Sequence, residues 1–175
     1  MHPNKIIIYI ARFVILVLLQ GLVLNHMNIS GYLNPLLYIM FILLLPFDFS
    51  RPWSLVLAFL LGYSVDLFSG TPGMHAAATV FVAFLRPFFL NTIGKREDDE
   101  IDAEPTIQNL GFRKVLSFNT IMVIIHHLMF FYIEAFRLSE FFATLWRAVL
   151  SSIFTIIFIM LIQVLFFSWQ KKRKL

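Results

Sequence analysis

Six apolar stretches separated by short polar breaks constrain this 175-residue chain more than any other feature. A helix rises about 1.5 Å per residue, so roughly 20 residues cross about 30 Å of hydrocarbon. Five stretches, residues 6–24, 53–68, 72–90, 115–136 and 145–169, reach or approach that length. The sixth, 35–47, is short enough to be either a tight spanning helix or a re-entrant piece. Composition agrees, because 59% of residues are apolar and only 14% charged, against about 25% charged in a soluble domain. A water-facing surface cannot be built from that mixture. The expected fold is an all-α membrane protein, one integral domain over residues 1–175, arranged as a polytopic bundle of about six transmembrane helices. The absence of cysteine excludes disulfides, thiolate metal sites, Fe–S clusters and Cys nucleophiles.

Helix breakers fall between the stretches, as lipid-exposed backbone requires. Asn34 before Pro35 reads as an N-cap followed by the first helical position, and Pro46 with Pro52 brackets a short turn. Gly70 suits a helix C-cap, and Thr71-Pro72 offers the next N-cap and first position, which makes 53–68 and 72–90 a tight helical hairpin. Lys5 ahead of an apolar run looks like a signal peptide, but no small-residue cleavage site follows Leu24, so an uncleaved first span is expected. The long polar stretch, 91–114, holds Lys95 to Glu100 and then Asp102 and Glu104 and reads as a solvated, partly disordered loop.

Basic residues are retained on the cytoplasmic side of a membrane. With six spans, ten of the 14 Lys and Arg share one side: Lys5, Arg51, Lys95, Arg96, Arg113, Lys114 and the tail Lys171 to Lys174. Arg137 and Arg147 lie on the other. Both termini are therefore expected in the cytoplasm, and the basic tail 170–175 against anionic lipid headgroups rather than nucleic acid.

Ionisable groups within the spans invite a functional reading, because a charge at the bilayer centre costs at least about 2.5 kcal/mol. Arg12 and Arg86 read as anchors that snorkel to the headgroups. Asp66, His75, Glu134, Arg137, Glu140 and Arg147 collect near one level at the outer face, as a salt-bridged lid or as a partner site. Ala58, Gly62 and Asp66 recur at i, i+4, i+8, and Thr79 with Ala83 adds a similar small-residue step. Such faces serve either an internal contact or another protein. Asn119 with His126, His127 with Glu134, and Arg147 with Ser151 and Thr155 form polar stripes that should face the bundle interior or a partner. His126 and His127 lie about 100° apart around a helix and do not share a metal easily, so buried, hydrogen-bonded histidines are expected.

Enzyme patterns are missing. There is no P-loop, no Gly-x-Ser-x-Gly elbow, no His-Glu-x-x-His, and Asp66 is not in a Gly-x-Gly-Asp context. The expectation is a protein that binds or organises, without catalytic residues, cofactor or metal.

Residues 62–76, Gly-Tyr-Ser-Val-Asp-Leu-Phe-Ser-Gly-Thr-Pro-Gly-Met-His-Ala, resemble the central signature of the rod-shape-determining MreD family: a Gly, apolar residues, Asp-Leu, a small residue, a Gly-x-Pro-x-Gly-like turn, then an Ala-rich helix. Length, hydropathy and tail charge extend the likeness loosely over the chain. The resemblance implies a non-enzymatic inner-membrane scaffold of the bacterial elongation machinery, needed for rod shape and lateral peptidoglycan synthesis. Its partners would be the single-span protein MreC, the actin-like MreB, the RodA glycosyltransferase and a transpeptidase. It places a partner-binding surface on Ala58, Gly62, Asp66, Gly70, Thr71, Pro72 and His75. The family is similar in fold to the substrate-binding subunits of energy-coupling-factor vitamin transporters, which makes such a subunit the alternative. Those subunits usually carry Ala-x-x-x-Ala in the first span, whereas here Ala11 is followed at i+4 by Ile15.

Overall fold

The computed structural model describes residues 3–26, 33–93, 103–135 and 141–167; the side chains of residues 3–5, the charged run 94–102, Arg137, Glu140 and the basic tail lie outside this description. Seven α-helices are described: α1 (Pro3–Leu18), α2 (Met40–Leu43), α3 (Arg51–Ser69), α4 (Met74–Ile93), α5 (Ile107–Leu110), α6 (Phe112–Ala135) and α7 (Phe141–Ile162). A π turn (Leu19–Val23) and a 3-10 turn (Leu24–His26) prolong α1, and a second π turn (Gln163–Phe167) prolongs α7. Five helices, counting these prolongations, are long and apolar enough to cross a membrane, so the chain is a multi-pass membrane protein with an all-α fold. Their outward faces carry large apolar side chains such as Ile7, Leu67, Phe142 and Leu165, as lipid contact requires.

Helix α3 packs on α4, α4 on α6 and α6 on α7. The sixth pass runs through the middle of this arrangement. Residues 34–36 are non-helical, a 3-10 turn (Leu37–Ile39) leads into α2, and every residue from Leu36 to Leu45 is buried. The helical part covers only about 12 Å. It suffices because the pass enters beside Ser151, about 15 Å along α7, and leaves beside Arg86, about 10 Å before the end of α4.

Non-helical backbone at membrane depth survives only when protein surrounds it and pairs its polar groups. Here distant side chains do so. Asn34 N donates to Ser151 Oγ (3.1 Å) and Leu36 N to Thr155 Oγ1 (3.1 Å). Gln20 donates through Nε2 to Pro35 O (3.1 Å) and accepts Leu37 N at Oε1 (2.8 Å). At the far end Arg86 donates to the carbonyls of Leu45 and Pro46. Two expectations are thereby corrected. Asn34-Pro35 does not start a helix, because the Gln20, Ser151 and Thr155 side chains take up that backbone's polar groups instead. Arg86 does not snorkel; it is 3% exposed and closes the end of the sixth pass.

Phe47 N donates to Ala103 O (3.0 Å), Arg12 pairs with Glu104 (3.2 Å), and Gln163 Oε1 accepts Ile107 N (3.1 Å). The beginning of α1, the 46–50 turn, α5 and the end of α7 therefore share one end of the bundle, the Arg86 end. The two ends of the 91–114 stretch differ from the solvated-loop expectation, since α4 continues to Ile93 and Pro105, Thr106 and Leu110 are buried against the bundle; its charged part, 94–102, lies outside the described residues.

Candidate functional site

The opposite end is organised by the turn between α3 and α4. Gly70 takes the left-handed conformation (φ 66°) and its N–H bonds Asp66 O, which stops α3 as the Gly70 C-cap expectation requires. Helix α4 begins at Met74, and neither Thr71 nor Pro72 caps it. The cap comes from the preceding helix: the Asp66 carboxylate accepts His75 N (3.0 Å) at Oδ1 and Ala76 N (3.0 Å) at Oδ2. Oδ1 also accepts Thr71 Oγ1 (2.5 Å) and His75 Nδ1 (3.0 Å). With four donors around it, and the positive end of the α4 dipole facing it, the carboxylate is held charged inside the protein.

Close approach of the two helices depends on Gly62. A Cβ there would lie 2.4 Å from Ala76 Cα and 2.6 Å from both Ala76 N and His75 O, all backbone atoms that cannot step aside. The residues of the 58–76 stretch thus divide. Ala58, Gly62, Asp66 and His75 are buried in the α3–α4 hairpin, Thr71 is half-buried, and Gly70 and Pro72 are exposed. The expectation of an outward docking stripe on Ala58 and Gly62 is revised accordingly, since the small side chains are consumed by contact within the chain. What α3 turns outward is Phe59, Tyr63 and Leu67, with the Phe59 and Tyr63 rings stacked at 5.7 Å.

A polar network continues from this turn into the core. His75 packs on Phe130 (ring centroids 4.4 Å) and lies 5.6 Å from the Tyr38 ring. Thr79 Oγ1 reaches Tyr38 Oη (3.3 Å), which bonds His126 Nε2 (2.9 Å). His127 bonds Val123 O through Nδ1 (2.9 Å), so its Nε2 is the acceptor for Thr155 Oγ1 (3.1 Å). The polar stripes of α6 and α7 therefore face the interior except at Glu134, which is exposed, and Arg147, which is half-buried. Asn119, His126, His127, Ser151 and Thr155 are fully buried.

Among the described residues, the outer charge group forms two pairs, Asp66 with His75 and Glu134 with Arg147 (2.9 Å), the latter guanidinium also lying over the Phe131 ring at 4.6 Å. Among the described residues, no three His, Cys, Asp or Glu side chains come together as a metal site would require. The chain matches no family model, no curated protein and no solved structure.

Two residues that sequence reasoning passed over are central. Gln20 and Gln163 each sit on a π turn, fully buried, and each accepts the first N–H of a short helix, Leu37 N and Ile107 N. Their signal was available, since an amide inside an apolar span needs a partner.

Proposed function

We propose that this chain is a non-enzymatic scaffold of the MreD type in a bacterial cytoplasmic membrane, acting with MreC, MreB, RodA and a transpeptidase in rod-shaped growth. The observation that carries the reading is that residues 62–76, which bear the resemblance, act together: Gly62 admits the Ala76 backbone, Gly70 ends α3 and Asp66 starts α4. A rigid hairpin with an apolar outer face suits a helix-binding scaffold. The single span of MreC then lies along Phe59, Tyr63 and Leu67, next to the exposed Gly70 and Pro72. The Arg86 end faces the cytoplasm in this reading, following the excess of Lys and Arg on that side. Against the vitamin-carrier alternative, the sixth pass fills the interior with Tyr38, Ile39 and Ile42.

Depletion in the rod-shaped host is the test. Rounded cells with normal thiamine, riboflavin and biotin uptake support the scaffold; unchanged rods with impaired vitamin uptake contradict it. Undiminished co-purification of tagged MreC with a Tyr63→Ala, Leu67→Ala variant would remove the docking face from the proposal.

A further inference from the structure

A serine or threonine hydroxyl turned outward on a membrane helix can pair with the carbonyl four residues earlier in that helix. Ser64 Oγ does so with Leu60 O (2.7 Å) and Thr92 Oγ1 with Phe88 O (3.0 Å). Tyrosine has no such route, because its rigid ring carries the hydroxyl away from its own backbone. Tyr38 and Tyr132 find partners across the fold instead, in His126 Nε2 (2.9 Å) and Phe141 O (3.3 Å). Tyr63 is different. It is 47% exposed, its ring stacks on Phe59, and among the described residues its Oη meets no hydrogen-bond partner.

Depth decides what this means. Helix α3 runs 19 residues, about 28 Å, and Tyr63 stands six residues before its outer end at Ser69, roughly 9 Å inside. Side chains on a helix incline toward its N-terminus, which for α3 is the Arg86 end. The Tyr63 ring lies parallel to that of Phe59 (interplanar angle 7°) at 5.7 Å, about one helical turn. The hydroxyl is therefore aimed toward the middle of the membrane and away from the outer headgroups. Hydrocarbon supplies neither water nor carbonyl there to take its proton. Phe59 and Leu67 face the same surroundings without that cost.

We infer that the helix docked on the Phe59, Tyr63 and Leu67 face carries a hydrogen-bond acceptor in the outer half of the bilayer, and that Tyr63 Oη donates to it. The acceptor is a polar side chain, or a backbone carbonyl laid open beside a small residue. Apolar contacts alone fix little, since lipid tails are as apolar as the helices, whereas one hydrogen bond at a set depth fixes the rotation and height of the docked span. This inference rests on the scaffold reading for the docking face and for MreC as its occupant, and adds the atom that sets the register.

Purified full-length chain and full-length MreC, each carrying a fluorescent tag, are titrated in mixed micelles and their association read by energy transfer. Tyr63→Phe keeps the ring and removes only the hydroxyl. It is expected to weaken association by about threefold to twentyfold. The thermal midpoint of the chain alone should not change, because Oη holds nothing within it. A Tyr63→Ala, Leu67→Ala variant removes the face itself and separates the two readings. Association intact in Tyr63→Phe but weakened in the double variant keeps the docking face and overturns the inference. Association intact in both variants, or absent in the wild type, overturns the inference and the docking face together. A midpoint lowered by Tyr63→Phe assigns the hydroxyl to the chain's own fold and also overturns it, as does a loss seen only between two differently tagged copies of this chain.

Discussion

The carboxylate of Asp66, in the last turn of α3, accepts the backbone N–H groups of His75 and Ala76 in the first turn of α4, at 3.0 Å each. One helix therefore supplies the cap of the next. The two-oxygen geometry matters, because each oxygen faces a donor. Asp66→Ala is expected to lower stability by about 1–3 kcal/mol through loss of the cap and exposure of His75 Nδ1. Asp66→Asn should recover little, since its amide nitrogen would point at an N–H. Thermal midpoints in detergent check both, and full rescue by Asn would contradict the capping role.

Gly62 and Gly21 are both crowded, but by different neighbours. A Cβ at Gly21 meets Phe68 Cγ (2.6 Å) and Phe68 Cβ (2.7 Å), and the latter is fixed to the α3 backbone, whereas at Gly62 it meets the α4 backbone itself. Gly62→Ala and Gly21→Ala should each destabilise by about 1–3 kcal/mol or more, because neither contact is relieved by side-chain rotation alone. An unchanged thermal midpoint for Gly62→Ala would contradict the α3–α4 contact.

Removal of the Gln20 amide leaves Pro35 O and Leu37 N without partners inside the protein. Gln20→Leu, though more apolar, is expected to cost more than about 2 kcal/mol, because unmade buried hydrogen bonds outweigh the gain in apolar surface. Unfolding by denaturant in mixed micelles measures the difference.

Tyr38 Oη and His126 Nε2 share one hydrogen bond in the core (2.9 Å), and His126 Nδ1 has no partner among the described residues. Tyr38→Phe strands the imidazole, so Tyr38→Phe and His126→Leu should be non-additive by about 0.5–3 kcal/mol in a double-mutant cycle. Additive losses would mean that the contact carries no energy.

Length and breakers made the five long helices legible in the sequence, and Gly70 announced the end of α3. The sixth pass was not legible as a structure, for a physical reason. Residues 34–46 are too few for a spanning helix, and what lets them cross are side chains 15 to 119 positions away: Gln20, Arg86, Ser151 and Thr155. No window along the chain contains those pairings. The turn at 66–75 was legible as a place but misread as a mechanism, since a Thr-Pro pair next to a helix start suggests a local cap while the geometry uses the acid of the previous helix. Burial likewise redirected Ala58 and Gly62, whose spacing fits an internal contact and an external one equally well.

The six passes put Asp48 and Ser69 at opposite ends of α3, and α1 and the end of α7 meet the bundle end that holds Asp48. The native chain has no cysteine, so single Asp48→Cys and Ser69→Cys variants report cleanly. In intact cells with a permeable outer barrier, a membrane-impermeant maleimide should label Ser69→Cys directly, and Asp48→Cys and a cysteine placed after Leu175 only once the cytoplasmic membrane is opened. Labelling of Asp48→Cys from outside, or of Ser69→Cys only after lysis, would contradict this threading.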